Sequence, residues 1–495
     1  VLGTKWVVPD AGRLRLRGAL RAVLGIGSAV AVCALTGHSL GAVIAGGLAA
    51  LLALFAVTDP TVRGQVLTTA LLPAAGLPVL ALAAVLQGQP PARDLAFLAV
   101  AAAAVYARRW GPRGHALGVF AFMAFFLAQF LHTVPGQLPG LYSAVLLALA
   151  ASSAVRFGAW CYERRLPVPA AAAPSARVAL RQTVQVAVAM AFALAVGQLL
   201  SQDRSYWAVG AAWWIFVNTA SRGETLVRGF RRVVGTIAGI AAGLLLAVPL
   251  HGAAAPTALL AATCVFGIFY TAAVSYSWMM FFVTVLVSLL YGLLGVLDPG
   301  LLALRLAETG VGALGAVLAV ALVLPITTHA TTDGWIQQAL RSVHRCTAEA
   351  AARLAGSPAA DPAPRIAELD RLLARVRLSL APLVHPLSPL RARRARARRV
   401  LALLDDCARE VRALACVAAD PDASQDARLA AACWRVEAAV RALTSADGAR
   451  ELAAATAVAD GPPALVHLHG LETALRELAT PLRGGRRPLR SAAAG

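Results

Sequence analysis

Charge is scarce in this chain of 495 residues: 14% of its positions are Asp, Glu, Lys or Arg, where a soluble domain carries about 25%. Acids are the scarcer sign, 25 against 45 basic residues, and Lys5 is the only lysine. With 59% hydrophobic residues the chain has too little polar material to cover a soluble protein of this size. That excludes a purely soluble enzyme, a disordered chain and a fibrous protein, and makes lipid the solvent for much of the molecule. Aromatic residues make up 6% of the chain, so any local crowding of them is informative. The seven cysteines show no C-x-x-C pairing and no metal-like spacing, and read as small buried or lipid-facing residues of a reduced compartment. Walker A, G-x-S-x-G and H-E-x-x-H sequences are all absent, so the chain is read as not an enzyme, with no cofactor and no metal. A GC-rich genome accounts for arginine in place of lysine beside abundant alanine; a functional preference for guanidinium is the other reading.

What charge there is lies unevenly. Residues 1–330 hold 21 basic and 8 acidic residues, and 331–495 hold 24 and 17. The first part is therefore a membrane domain with long uncharged runs, the second a water-facing domain of ordinary charge density. A span needs about 20 apolar residues, and candidates fall at 18–36, 40–57, 66–87, 95–107, 115–132 and 138–155. A second set follows at 178–200, 206–220, 231–250, 254–273, 276–297 and 301–324. The apolar run after Lys5, Arg13, Arg15 and Arg17 leads into further spans and reads as retained, with no cleavable leader.

Arginine alternates from loop to loop. One side holds the N-terminal cluster, Arg63, Arg108, Arg109, Arg113, Arg156, Arg164, Arg165, Arg177, Arg222 and Arg228, and the other only Arg93 and Arg204. By the positive-inside rule both termini are expected in the cytoplasm. Leu20-Arg21 and Leu180-Arg181 each open a sextet of spans, and Val62-Arg63-Gly64 matches Val227-Arg228-Gly229. Six spans per half is an even number, so the expected fold class is an all-α bundle of about twelve spans in two parallel repeats. The expected domains are a first transmembrane half at 1–160, a linker at 161–177, a second half at 178–328 and a cytoplasmic helical domain at 329–495. In the last, apolar positions recur at helical spacing through 334–355, 365–380, 390–418, 426–443 and 464–479.

Several motifs have plain structural readings. Gly310, Gly312 and Gly315 spell G-x-G-x-x-G inside an apolar helix with no strand before it, which favours close helix packing over a dinucleotide site. Gly235, Gly239 and Gly243 lie on one helix face and read the same way. His467 and His469 form a surface pair. The run from Arg391 to Arg399 holds six arginines without interleaved aromatics, which points to anionic lipid heads or a solvated helix and not to nucleic acid.

Intramembrane charge is more informative, because an ionisable residue in a span faces a cavity or a partner. Arg305 and Glu308 share one helical face with Thr309 beside them. They form either a local ion pair bracing the bundle or an anion-binding Arg whose neighbouring carboxyl changes protonation during transport. Arg228 and Arg232 are one turn apart at the start of a span and can face one vestibule; with Arg231 they suit either simple topology or an anion funnel. Tyr206, Trp207, Trp213, Trp214 and Asn218 crowd one span, as an interfacial belt, as core, or as planar faces for an aromatic substrate.

At these residues the chain resembles the fusaric acid resistance and aromatic acid exporter superfamily. One signature runs from Tyr206-Trp207 through Arg222-Gly223-Glu224-Thr225 and Arg228 to Gly235-Thr236 and Gly239. The other is Arg305-Leu306-Ala307-Glu308-Thr309-Gly310, closing with Pro325. The match covers about 178–326, and the first half is similar in hydropathy and span number. The resemblance implies a bacterial inner-membrane exporter of aromatic or other hydrophobic organic acids, driven by the proton gradient. Arg228, Arg232, Arg305, Tyr206, Trp207, Trp213 and Asn218 would then bind substrate, with Glu308 and Thr309 as the proton-coupling step. Plant malate channels look like distant relatives, so a passive anion channel is the second reading; a non-transporting scaffold whose cytoplasmic domain recruits a partner is the third. Assembly into a homo-oligomer is left open.

Overall fold

The computed structural model describes residues 13–159, 176–216, 222–250, 253–323, 328–357, 360–384, 391–418, 427–444 and 463–483. They are helical, with no strand among them. Two compact units divide the chain: residues 1–219 with 225–325, and residues 220–224 with 326–495.

The first unit holds twelve α-helices. They are α1 (Leu14–Leu35), α2 (Leu40–Ala56), α3 (Val62–Val85), α4 (Pro90–Tyr106), α5 (Gly111–Phe130) and α6 (Leu138–Ala159). Then come α7 (Ala176–Leu200), α8 (Tyr206–Phe216), α9 (Arg222–Leu250), α10 (Ala254–Thr271), α11 (Tyr276–Leu293) and α12 (Pro299–Leu322). Among the described residues nine apolar stretches are long enough to cross a membrane, one of which, Pro90–Phe130, carries both α4 and α5. The chain is a multi-pass membrane protein.

Local chemistry sets the helix starts. Ser39, Thr61 and Asp298 cap α2, α3 and α12, each side chain accepting a backbone N–H of the first turn, from Ala42, Gly64 and Leu301. Pro90 and Pro299 stand at the first helical position, where a missing N–H costs nothing. Two starts differ from the hydropathy reading. Helix α9 begins at Arg222, well before 231, because its arginines lie along the helix instead of ahead of it. Helix α4 begins at Pro90 and so includes Asp94, a buried acid in this unit beside Asp59 and Glu308. Asp94 accepts from Gln198 of α7 at 2.7 Å and from Arg93 at 3.2 Å.

The two sextets share one pattern of pairing. In the first, α1 packs on α2 and α6, and α2 on α6; in the second, α7 packs on α8 and α12, and α8 on α12. Between them the contacts exchange: α1 meets α10, and α7 meets α4. The ends Leu35 and Leu200, Val85 and Leu250, and Tyr106 and Thr271 are each 165 residues apart.

Small residues let these backbones approach. A Cβ on Gly239 would stand 2.6 Å from Thr284 Cβ, and one on Gly243 2.5 Å from Ser288 Oγ, so α9 lies directly on α11. A Cβ on Gly312 would collide with the Ala208 carbonyl of α8, and one on Gly315 would come within 2.8 Å of the Ala189 carbonyl of α7. Without a hydrophobic drive between helices in lipid, such close packing is a main source of cohesion. Helix α8 is the most enclosed: of its 11 residues, Trp207 and Trp214 alone are not buried.

The second unit contains α13 (Thr328–Leu354), α14 (Ala363–Val384), α15 (Arg391–Ala418), α16 (Ala427–Thr444) and α17 (Pro463–Arg483). Their apolar stripes meet in one core that includes Leu340, Leu369, Val376, Cys407, Val411, Val436 and Leu471. Burial pushes the Cys407 thiol up to about 12, so it packs as a small apolar group and not as a nucleophile. Buried Glu472 accepts from Arg435 at 3.1 Å and Arg476 at 2.6 Å, tying α17 to α16.

The glycines of the G-x-G-x-x-G stretch give a direct test. Gly312→Ala has no room and is expected to cost about 1–3 kcal/mol, lowering the thermal midpoint of the full chain in detergent. Gly310→Ala, whose added Cβ meets nothing within 4 Å, is expected to leave the midpoint unchanged.

Candidate functional site

Helices α8, α9, α11 and α12, with α5 from the first half, bring most of the sequence-predicted residues together. Arg305, one and a half turns into α12, is 4% exposed, and its guanidinium carbon lies 4.1 Å above the Trp207 ring of α8. A cation over an indole face is attracted by the ring quadrupole, most strongly where water is excluded. Trp207 is also held by edge-on contacts with Phe126 and Phe130 of α5, at 4.8 and 6.1 Å between centroids. Tyr206, 2% exposed, meets Phe126 at 5.2 Å, and Phe130 also meets Tyr291 of α11 at 5.6 Å.

Glu308 is 1% exposed on the same helix as Arg305, and the two form no ion pair among the described residues. Its Oε1 is buried without a hydrogen-bond partner, as are Arg305 Nη1, Trp207 Nε1 and the Tyr291 hydroxyl. Arg305, Glu308, Tyr206 and Tyr291 all lie within electrostatic reach of one another. Thr309 donates its hydroxyl hydrogen back to the Arg305 carbonyl at 2.8 Å, so its proton is committed to its own helix. Each buried polar atom left unpaired costs about 1–3 kcal/mol. Three of them around one guanidinium whose own Nη1 is unpaired are therefore not a neutral feature of a core.

A second cluster lies nearer the start of α9. Arg232 is 6% exposed and donates to the Tyr276 hydroxyl of α11 at 3.2 Å. Arg228, one turn earlier, has its guanidinium carbon 4.1 Å above the same Tyr276 ring. The Nε of each is buried without a partner. Arg231 faces outward, so the helix divides the three arginines between its two sides. Arg232 is within electrostatic reach of Arg305, and Arg228 of Arg108 at the end of α4. Arg108 donates to Gln182 of α7 at 3.3 Å and sits close to His115. Cations thus run from the junction of α4 and α5 through α9 to α12.

Trp213 stands apart from both clusters. It is 1% exposed, stacks on Phe122 of α5 at 4.0 Å and donates Nε1 to the Ala101 carbonyl of α4 at 3.4 Å. Those contacts hold the two halves together. Asn218 lies outside the described residues, as does Pro325. Sequence reasoning missed Tyr276, Tyr291, Phe126, Phe130 and Arg108. The cluster Phe120, Phe122, Phe125, Phe126 and Phe130 in an aromatic-poor chain was the available signal for α5. No group of three or more His, Cys, Asp or Glu among the described residues comes together to hold a metal.

The stretch of chain that builds this arrangement has known counterparts. Residues 188–319 match the family model described as fusaric acid resistance protein-like. That fusaric acid resistance-like segment contains Trp207, Arg228, Arg232, Tyr276, Tyr291, Arg305 and Glu308, while Phe126, Phe130 and Arg108 lie before it. None of the curated proteins compared with the chain matches it.

Truncation separates packing from site within α8. Trp213→Ala is expected to destabilise the chain by about 3–5 kcal/mol, read as a lower thermal midpoint in detergent. Trp207→Phe retains an aromatic face over Arg305 and is expected to leave the midpoint close to that of the wild type.

Proposed function

We propose that the protein exports aromatic or other hydrophobic organic acids across the bacterial cytoplasmic membrane, coupled to the proton gradient, with both termini in the cytoplasm. The observation that carries this reading is the buried Arg305 guanidinium, which has an aromatic face on one side, an unpaired N–H, and an unpaired carboxyl oxygen of Glu308 nearby. A substrate carboxylate would accept from Arg305, a charge-assisted bond about twice as strong as a neutral one. A planar apolar body would pack against Trp207 and the rings that hold it. Arg228 and Arg232 would draw the anion in from the Arg-rich end of the bundle, with Arg108 beside the entrance.

Glu308 is the proposed proton-responsive group. Ionised, it offsets the charge of Arg305 and weakens the hold on a second carboxylate; protonated, it leaves Arg305 uncompensated and strengthens that hold. Proton binding and anion binding at the site are thereby linked, so flux responds to the pH difference across the membrane. Linkage of this sign moves proton and anion the same way, so export, the direction that the family likeness gives, runs when the outward gradient of the acid exceeds the inward gradient of the proton. In the second unit, Arg396 and Arg398 are exposed and Arg399 pairs with Glu477, while the side chains of Arg391, Arg393 and Arg394 lie outside the described ones. Contact of this run with anionic lipid heads is proposed on charge alone.

The test is flux of labelled aromatic acids through proteoliposomes, with and without an imposed pH gradient, for wild type and Glu308→Gln. The expected result is gradient-dependent accumulation that Glu308→Gln reduces at least tenfold. Flux that follows membrane voltage alone in both proteins would assign the chain to the passive channels. Absence of flux for every organic acid would overturn the transport reading.

A further inference from the structure

The two arginines at the Arg-poor end of the first unit are placed differently. Arg93, in the first turn of α4, pairs with Asp94 at 3.2 Å, and Asp94 also accepts from Gln198 near the end of α7. The start of α4 and the end of α7 therefore share that end of the unit. Arg204 stands in the connection after α7, half-buried, two residues before α8. Its carbonyl accepts the backbone N–H of Trp207 at 3.0 Å, so it forms the turn that opens the helix whose indole lies over Arg305. The Arg204 guanidinium has no hydrogen bond, ion pair or ring contact among the described residues. Asp203, exposed beside it in the chain, forms no ion pair with it either.

The groups around Arg204 bear on what it does. Tyr206, Tyr291 and Glu308 are each within its electrostatic reach, and the same three lie within reach of Arg305. The unpaired Glu308 Oε1 and Tyr291 hydroxyl are thus shared by two cations. In the second half the charges follow one another. Arg228 and Arg232 meet at Tyr276, Arg232 reaches Arg305, and Arg204 comes last, at the opposite end. A carboxylate held by one buried guanidinium leaves slowly, because an apolar bundle offers it nothing in exchange. A second, half-exposed cation beside the first divides release into two easier steps, the later one within reach of water. With the termini in the cytoplasm, Arg204 faces outside, where insertion does not call for arginine.

We infer that Arg204 is the outer anion-binding residue of the transport path, taking the substrate carboxylate from Arg305 before release. The inference rests on the transport reading above and adds to it a second site with a residue of its own. The Tyr291 hydroxyl, buried near both cations, would donate to the carboxylate as it passes.

The test combines benzoate flux through proteoliposomes with calorimetric titration of benzoate into the same full-length protein in detergent. Arg204→Gln is expected to lower flux roughly tenfold while the affinity stays within about threefold of the wild type, because binding is dominated by Arg305. Its thermal midpoint is expected to be unchanged, since the turn into α8 uses the Arg204 carbonyl and not its side chain. Arg204→Lys, which keeps the charge, is expected to restore most of the flux. Wild-type flux in Arg204→Gln would overturn the inference. So would affinity lost together with flux, which would make Arg204 part of the Arg305 site. A lowered midpoint with no rescue by Arg204→Lys would assign it a structural role and overturn the inference too. The transport reading fails separately, in the wild type: benzoate flux no faster than through empty liposomes would overturn it and this inference with it.

Discussion

A guanidinium inside an apolar helix bundle must have its charge and its N–H groups met by something, because no water is at hand to do so. The protein solves this problem in two different ways. Arg156, 6% exposed at the end of α6, donates to the carbonyls of Ala53 and Val57 at 3.0 and 2.7 Å and to Gln65 at 3.1 Å, leaving only its Nε unpaired. That arginine closes the end of α2 and is answered from within the fold. Arg305 is buried to the same degree, yet it has an indole face, an unpaired Nη1 and an unpaired neighbouring carboxyl. The contrast separates an arginine answered from within the fold from one with an unpaired N–H, which is proposed to meet a substrate carboxylate.

The duplicated architecture explains where that second kind of arginine can sit. Both sextets use the same helix pairings, and both place a short apolar helix, α2 or α8, against the last helix of the set. Only the second sextet carries the Arg-and-Glu step on its last helix and tryptophans on its short one. The first sextet contributes the support: Phe126 and Phe130 hold Trp207, and Phe122 stacks on Trp213. Glycines at 235, 239 and 243 then set α9 directly on α11, which brings Arg228 and Arg232 to Tyr276. The first half supplies the aromatic wall, and the second bears Arg228, Arg232 and the Arg305 and Glu308 step.

Much of this was legible in the sequence, for definite reasons. Long uncharged runs bounded by arginine, Pro and Gly located the twelve helices, since length and hydropathy are local properties. The five helices of the second unit followed from the 3.6-residue recurrence of leucine and alanine. The starts of α9 and α4 were not legible, because Arg222 to Arg228 and Asp94 read as lying ahead of the spans while in the structure they are carried along the helix. Arg305 and Glu308 stood out by the cost of charge in a span. Their separation as two unpaired groups, in place of a bracing ion pair, could not be read from a spacing of three residues. The partners from α5 and α11 were invisible for a similar reason: Phe126, Phe130, Tyr276 and Tyr291 are ordinary aromatic residues until the fold sets them around Trp207 and the arginines.

The account rests on Arg305 holding a carboxylate, and calorimetric titration of the detergent-solubilised chain addresses that most directly. An aromatic carboxylic acid and its primary amide, equal in shape and different in charge, would be titrated into wild type and Arg305→Gln. A charge-assisted bond contributes about 1.5–3 kcal/mol, so the wild type is predicted to bind the carboxylate at least tenfold more tightly than the amide, with the difference lost in Arg305→Gln. Equal affinity for acid and amide in the wild type, or a preference that survives in Arg305→Gln, would contradict it.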